Sequence, residues 1–147
     1  MCLVLSVLAG LACAASAAPP LRVMPVGDSI TYGSSVNGGY RLPLYDLLTN
    51  SGYTVDYIGS QTGNSTGMAD PDHEGHGGWR IDQIDAIILD VLRTEADPDV
   101  LLLLIGTNDF GQEFDQANAT NRLDALIERI ATNRPHCKIL VDRKSVV

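Results

Sequence analysis

The sequence predicts an α/β protein, a flavodoxin-like three-layer α/β/α sandwich around a parallel sheet. Strand-like apolar runs alternate with amphipathic helical patterns along the chain. One run, residues 100–105, is apolar throughout, as in strands that are covered on both faces. Polar segments follow the first three strands, and ligands of such sheets bind at the carboxyl ends of the strands. The length of 147 residues fits one domain with a substantial core.

The first half of the chain predicts two strands and a helix. Residues 21–26 form an apolar strand, and residues 40–48 place leucines and a tyrosine at helical spacing. Residues 53–58 are β-branched and aromatic, which predicts a second strand. Residues 59–78 are rich in Gly, Asn, Asp, Ser and Thr, which predicts a long functional or mobile loop.

The second half of the chain continues the alternation. Residues 80–93 carry isoleucines on one helical face, and residues 100–105 form the central strand. Residues 117–132 form another amphipathic helix, and residues 138–141 form a fourth strand. The order is therefore β-α-β-α-β-α-β.

The amino terminus predicts a secreted, extracellular protein. Residues 1–17 carry no charge and end in an Ala-x-Ala pattern, as signal peptides do, which leaves residues 18–147 as the domain. Cys137 is then the remaining thiol, and we expect it to pack as a small buried hydrophobe. Asn64 and Asn118 lie in N-x-S/T acceptor sequences that fit a secreted glycoprotein.

The charge balance excludes some partners. A formal net charge of −8 provides no basic surface for nucleic acid or anionic membranes. We expect no nucleic acid partner, no membrane contact after signal cleavage, and a monomer.

The segment Gly27-Asp28-Ser29-Ile30-Thr31 raises the first question about function. Ser29 comes where a strand meets a helical segment, so its spacing fits either a nucleophile or a plain helix cap. A serine nucleophile needs donors for the oxyanion of an attacked carbonyl. The amide of Asn108 and a glycine N–H of the second loop are candidate donors.

Three motifs resemble those of the SGNH hydrolases, also called GDSL esterases. "GDSIT" resembles block I, and "IGTND" at residues 105–109 resembles block III. "HEGHGGW" at residues 73–79 resembles block II in the form found in secreted carbohydrate esterases related to acetylxylan esterases. The motifs span residues 23–109 in the family's order.

The resemblance implies the SGNH hydrolase fold and a role for each matching residue. Ser29 is expected to be the nucleophile, and its N–H, the Gly78 N–H and the Asn108 amide are expected to form the oxyanion hole. Trp79 and Arg80 are expected to contact substrate, with packing at a helix start as the alternative for Trp79. No cofactor and no metal are implied.

Other interpretations remain open for several of these residues. Gly77 and Gly78 also fit a tight turn, and Gly78 is preferred as the donor because it directly precedes Trp79. Asn108 also fits a helix cap. Asp28 and Asp109 are expected to accept hydrogen bonds that hold their loops.

Residues 70–76 contain two patterns that we interpret as structural. Five potential metal ligands occur there in seven residues, but without the helical His-Glu-x-x-His spacing, so a solvated loop is expected. Asp70 and His73 have the Asp-x-x-His spacing of the family's acid and base. In the family that pair follows block III, so it is not expected to be catalytic here.

The catalytic Asp-x-x-His block itself has no match after Asn108. His136 is the only histidine there, and it opens a strand at the amino end of the sheet. The chain resembles the first two-thirds of an esterase domain, truncated after the fourth strand, and is expected to be inactive for that reason.

The expected function of the lineage is hydrolysis of carboxylic esters, with acetyl groups on plant polysaccharide as substrate and a serine acyl-enzyme as intermediate. The alternatives are a lipid or aryl esterase of the same superfamily and a non-catalytic carbohydrate-binding remnant. A phosphate-binding module is disfavoured, because Asp28 stands where a phosphate would bind.

Overall fold

The computed structural model describes residues 18–142, so the predicted signal peptide lies outside the described residues. The strands are β1 (Leu21–Gly27), β2 (Val55–Tyr57), β3 (Glu74–Gly75), β4 (Val100–Leu104) and β5 (Lys138–Asp142). The helices are α1 (Ser29–Tyr32), α2 (Arg41–Asn50), α3 (Ile81–Thr94), α4 (Thr107–Gly111) and α5 (Ala119–Asn133), with a 3-10 turn at Gln116–Asn118.

The strands form one parallel sheet in the order β2-β1-β4-β5, and β3 pairs with the end of β1. Gly27 is in register with Gly75 of β3 and with Leu104 of β4, and Leu104 is in register with Asp142 of β5. Strands β1, β3, β4 and β5 therefore end level with one another, and the segments that follow β1, β3 and β4 share one edge.

One face of the sheet is sealed by α3 and α5. Ile84 and Ile88 of α3 lie four residues apart on one helical face and are fully buried, as are Leu126 and Ile130 of α5. Leu101 and Leu103 of β4 point into this cluster, and Cys137 packs against it. Burial raises the pKa of the Cys137 thiol, which fits its predicted place as a small hydrophobe.

The opposite face is covered unevenly. Helix α2 lies over β1 and β2, where Val23, Val55 and Tyr57 are buried. Beyond it, a groove of about 650 Å³ runs along β4 and β5, and Leu140 in its wall is 58% exposed. The prediction that residues 100–105 are covered on both faces is therefore met only in part on this side, because Val100 and Leu102 pack against the cluster under α2 while Leu104 lines the open groove.

The predicted order of main elements is confirmed, with three additions. Strand β3 lies inside the predicted long loop, and α1 and α4 are short helices that directly follow β1 and β4. Each is at most five residues long, too short for a periodic sequence pattern. Helix α1 and strand β3 contact β1 and each other, and Asp109 of α4 accepts a hydrogen bond from the Ile81 N–H of α3. Among residues 18–142, no helix combines the length and apolarity that crossing a membrane requires.

Candidate active site

Ser29 lies at the first position of α1, directly beyond the sheet edge. The preceding residue, Asp28, is buried and caps the helix: its Oδ1 accepts from the Ile30 N–H at 2.9 Å. Glycine is required at position 27, because a Cβ there would lie 2.1 Å from the Leu104 carbonyl oxygen. This close approach of β1 to β4 sets where the serine emerges.

Ser29 borders a cavity of about 370 Å³ that Ile30, Ser34 and Tyr40 also line. The Tyr40 hydroxyl lies 3.3 Å from the hydroxyl of Thr31. Burial raises the pKa of Tyr40 to about 12, so this phenol stays protonated near neutral pH and is no base for the serine.

A buried arginine that the sequence reasoning missed holds the other end of α1. Arg41 is fully buried. Its Nε donates to the Thr31 carbonyl at 2.8 Å, and its Nη2 donates to the Tyr32 carbonyl at 3.2 Å. Its Nη1 donates to Ser65 Oγ at 3.0 Å and to the Pro71 carbonyl at 3.1 Å. Arg41 thus ties the nucleophile helix to the 63–71 loop through backbone oxygens, and burial lowers its pKa.

His73 and Asp70 have partners other than each other. Nδ1 of the fully buried His73 accepts from the Gly75 N–H, so its Nε2–H donates to the Gly63 carbonyl, each at 2.9 Å. Burial lowers the pKa of His73 to about 4. Asp70 Oδ2 accepts from the Tyr57 N–H at 2.6 Å. Both residues hold backbone, in line with the expectation that this pair is not catalytic.

Glu74 and His76 connect β3 to the glycine pair. Glu74 is fully buried, and its carboxylate accepts from the Ser60 N–H at 2.8 Å and bonds Nε2 of His76. Burial raises the pKa of Glu74, but the hydrogen bonds from His76 and Ser60 outweigh it and leave the pKa below its usual value. The His76 ring stacks on Trp79, with ring centroids 4.0 Å apart, so His76 covers one face of the indole.

Gly77 and Gly78 occupy a turn closed by the Trp79 N–H, which donates to the His76 carbonyl at 3.2 Å. Gly78 has a φ of +81°, the left-handed value that favours glycine at the third position of a type II turn. A Cβ at Gly78 would meet nothing within 4 Å, so the space over this residue is open. A ligand can therefore approach the Gly78 backbone.

Helix α4 brings Asn108 to this turn. Asn108 Nδ2 donates to the Trp79 carbonyl at 2.8 Å, which uses one of its two amide hydrogens. The neighbouring Asp109 is buried and accepts from the Ile81 N–H at 3.0 Å and from Arg122 at 2.9 Å. Asp109 therefore holds the start of α3 against α4, the loop-holding role expected for it.

The guanidinium of Arg80 is engaged within the protein. Its Nε and Nη2 donate to the Asp82 carboxylate at 2.9 and 3.0 Å, and its Nη1 donates to Gln112 Oε1 at 2.9 Å. It also lies 4.1 Å from the centroid of the Phe114 ring. A contact between Arg80 and substrate stays a prediction, as does one from Trp79, which is half-buried and packs against the core cluster of α3 and α5.

The structure thus brings the Ser29, Gly78 and Asn108 segments to one edge of the sheet, and a hydrogen bond joins the last two. His136, exposed just before β5, lies at the opposite end. Within residues 18–142, no cluster of three His, Cys, Asp or Glu side chains is arranged to hold a metal. A serine hydroxyl that shares a sheet edge with backbone and side-chain amide donors is suited to attack on a carbonyl and stabilisation of the resulting oxyanion.

Comparison with protein families agrees with this geometry. The sequence model of the GDSL-like lipase/acylhydrolase family matches residues 26–146. A multidomain esterase of Ruminococcus flavefaciens is 34% identical over 141 residues, which cover 82% of this chain and 18% of that protein.

Solved structures of carbohydrate esterases share the fold. A family 3 carbohydrate esterase of Clostridium thermocellum is 42% identical with a TM-score of 0.77, over 84% of this chain and 61% of that chain. A family 3 carbohydrate esterase from Talaromyces cellulolyticus is 27% identical with a TM-score of 0.69, over 83% of this chain and 61% of that chain. The chain therefore spans less than two-thirds of the length of these relatives.

Proposed function

Since the chain belongs to the GDSL-like lipase/acylhydrolase family, we propose that its site is a serine esterase site that removes acetyl groups from plant polysaccharide. The observation that carries this proposal is the hydrogen bond from Asn108 to the Trp79 carbonyl. It fixes one amide hydrogen of Asn108 and leaves the other for a ligand beside Gly78. The names of the carbohydrate esterase neighbours support the substrate class.

In the proposed reaction Ser29 Oγ attacks the acyl carbon and loses its proton to a base. The N–H groups of Ser29 and Gly78 and the amide of Asn108 donate to the oxygen that becomes negative. The bond to the sugar oxygen then breaks, and that oxygen takes a proton. Water attacks the acyl-enzyme, which releases acetate and restores the Ser29 hydroxyl.

The proposed reaction needs a general base that takes the proton of Ser29. Among the three histidines, His73 uses both ring nitrogens on backbone, His76 bonds Glu74 through Nε2, and His136 is at the far end of the sheet. We propose that the base comes from outside residues 18–142 and that this chain by itself reacts only at a residual rate. A serine without its base is a poor nucleophile.

A second candidate, a lipid or aryl esterase, is favoured by one observation. The groove along β4 and β5 shares Ile30 and Tyr40 with the cavity that Ser29 borders. An apolar acyl or aryl group bound there would lie beside the serine. The third candidate, a carbohydrate-binding remnant, predicts binding without any reaction of Ser29.

Covalent labelling tests the nucleophile at very low reactivity. A fluorophosphonate should label Ser29 in residues 18–147, as read by mass spectrometry, and Ser29→Ala should abolish the label. Ser34→Ala, in the same cavity, is the matched control and should keep it. Equal labelling of the parent and Ser29→Ala would overturn the proposal. A comparison of the rates at which an acetyl ester and a longer acyl ester are hydrolysed then distinguishes the two esterase candidates.

Secretion and glycosylation also belong to this proposal. Asn118 is exposed, and its side-chain amide donates to the exposed Asp115 carboxylate at 2.9 Å. Asn64 is half-buried, and its side-chain amide donates to the Gly33 carbonyl beside α1. We therefore propose Asn118 as the glycosylated acceptor. Peptide mapping after expression through a secretory pathway checks this, and a glycan on Asn64 alone would contradict it.

A further inference from the structure

We propose that Gln112, a residue outside all three motifs, is a positioning residue for the Gly78 turn. The inference rests on the proposed function, in which the Gly78 N–H is an oxyanion donor. Gln112 touches neither the serine nor its helix in any hydrogen bond among residues 18–142. It acts on the turn from α4.

Both ends of the Gln112 amide are engaged. Its Nε2 donates to the Gly78 carbonyl at 2.8 Å, and its Oε1 accepts from Arg80 Nη1 at 2.9 Å. A guanidinium has only donors, so the amide oxygen must face Arg80 and the amide nitrogen must face Gly78. The chemistry of the two partners therefore fixes the orientation of Gln112.

Gln112 follows Asn108 by four residues, just beyond the end of α4. Asn108 donates to the Trp79 carbonyl and Gln112 donates to the Gly78 carbonyl, so two successive carbonyls of the turn are held from one helix. The Trp79 N–H closes the turn on the His76 carbonyl. The two glycines give this turn wide backbone freedom, and Gln112 restricts it at Gly78.

Arg80 holds Gln112 in turn. Two parallel hydrogen bonds join the Arg80 guanidinium to Asp82, and its plane lies over Phe114. A cation held at two points is a fixed partner for the amide oxygen. Arg80 thereby acts on Gly78 through Gln112, in addition to any contact with substrate.

Two substitutions at position 112 and one matched control test the proposal. Gln112→Ala removes both bonds. Gln112→Glu keeps an acceptor for Arg80 but turns a second acceptor toward the Gly78 carbonyl. Gln116→Ala is the control, since Gln116 is also exposed and also donates to a backbone carbonyl, that of Phe110 at 3.1 Å.

Hydrogen exchange at the Trp79 amide and ¹⁵N relaxation at Gly78 report on the turn directly, because the Trp79 N–H bonds the His76 carbonyl. We expect both Gln112 variants to speed Trp79 exchange by about 2- to 12-fold, the scale of one lost hydrogen bond, and to increase the motion of Gly78. Gln116→Ala should leave them unchanged. The phosphonylation rate of Ser29 at saturating probe should fall by a similar factor, with the half-saturating probe concentration within twofold.

Gln112→Glu separates positioning from stability, because its ion pair with Arg80 keeps the melting temperature near that of the parent. Trp79 exchange and Gly78 relaxation that are both unchanged in the two variants would overturn the proposal. An unlabelled Ser29 in the parent would instead overturn the proposed function, and the exchange data would still decide the role of Gln112.

Discussion

The two halves of the candidate site are held in opposite ways. The nucleophile half, Gly27 to Tyr32, is anchored by a fully buried arginine whose donors meet backbone oxygens. The oxyanion-donor half, the Gly78 turn and α4, is anchored by Asn108, Gln112 and Arg80, which lie at or near the surface. Placement of Ser29 is thus inseparable from folding, whereas placement of Gly78 can change while the core stays intact.

The two halves are anchored differently because one lies inside the fold and the other lies at its surface. Helix α1 packs against β1 and β3, so its terminal carbonyls are buried and must find donors from inside the protein. The Gly78 turn lies at the rim, where water competes for every bond. If the two halves are held independently, a substitution in one half should leave the other half unchanged.

Loss of the buried Arg41 guanidinium should lower the free energy of unfolding more than the other substitutions proposed for the site. Arg41→Met leaves several buried carbonyls without donors, so we expect the free energy of unfolding to fall by about 3–5 kcal/mol. Denaturant titration measures this. Arg93→Met is the control: the Arg93 side chain is 72% exposed in its ion pair with Asp90, and its loss should cost under about 0.5 kcal/mol. Equal effects would show that α1 does not depend on Arg41.

Removal of the Asn108 amide donor should slow the reaction and spare the fold. In a version of the chain extended to supply the general base for Ser29, Asn108→Ala should slow acylation of Ser29 by an activated acetyl ester by roughly 10²–10³-fold, the range for one oxyanion donor. Asn121→Ala, an exposed asparagine on α5, should change the rate little. A loss under about threefold for Asn108→Ala would remove Asn108 from the mechanism.

The sequence predicts some elements of the structure better than others. The isoleucines of α3 and the leucine and isoleucine of α5 predict those helices because burial repeats with the helical period. Strand β3 was not predictable, since two residues carry no period and only pairing with β1 defines it. The motif resemblance pointed to Ser29, Gly78 and Asn108, and the structure places their segments at one edge.

The residues that hold the site left weaker signals. An arginine at the start of a helix resembles a solvated residue, and only the fold shows that Arg41 lies beneath the 63–71 loop. Its sole sequence signal is its place directly before the leucines of α2. Gln112 gave no signal, because a bond to a backbone carbonyl 34 positions away depends on tertiary structure.

Acid should loosen the nucleophile half first. His73 bonds Gly63 and packs edge-on against Tyr32 of α1, and its pKa falls from 6.5 to about 4 on folding. Between these values the unfolded chain binds more protons, so stability from this group is complete above pH 6.5 and is lost as pH falls toward 4. The loss is roughly 3 kcal/mol at most.

Denaturant titrations from pH 4 to pH 7 check this with a pair of variants. His73→Gln should flatten the pH dependence relative to the parent, while the exposed His136→Gln should reproduce the parent curve. Because the pKa of Glu74 is also lowered in the folded protein, its contribution to stability falls at low pH as well. Glu74 is present in every protein compared, so this contribution cancels when the curves are subtracted. A His73→Gln curve parallel to the parent would show that His73 is not the group that titrates.

The smallest expected effect separates the two glycines of the turn. Gly78→Ala places a Cβ at a φ of +81° and should cost about 1–2 kcal/mol of stability through backbone strain alone, since that Cβ meets nothing within 4 Å. Gly77→Ala puts its Cβ 3.7 Å from Ser34 Oγ, an ordinary contact outside the left-handed region, and should be nearly neutral.

If the Gly78 N–H is the donor, the strained Gly78→Ala variant should also slow Ser29 phosphonylation about tenfold, the kinetic equivalent of 1.4 kcal/mol. Gly77→Ala should slow it less than threefold. A larger rate loss from Gly77→Ala than from Gly78→Ala would move the donor to position 77 while leaving the division between the two halves of the site unchanged.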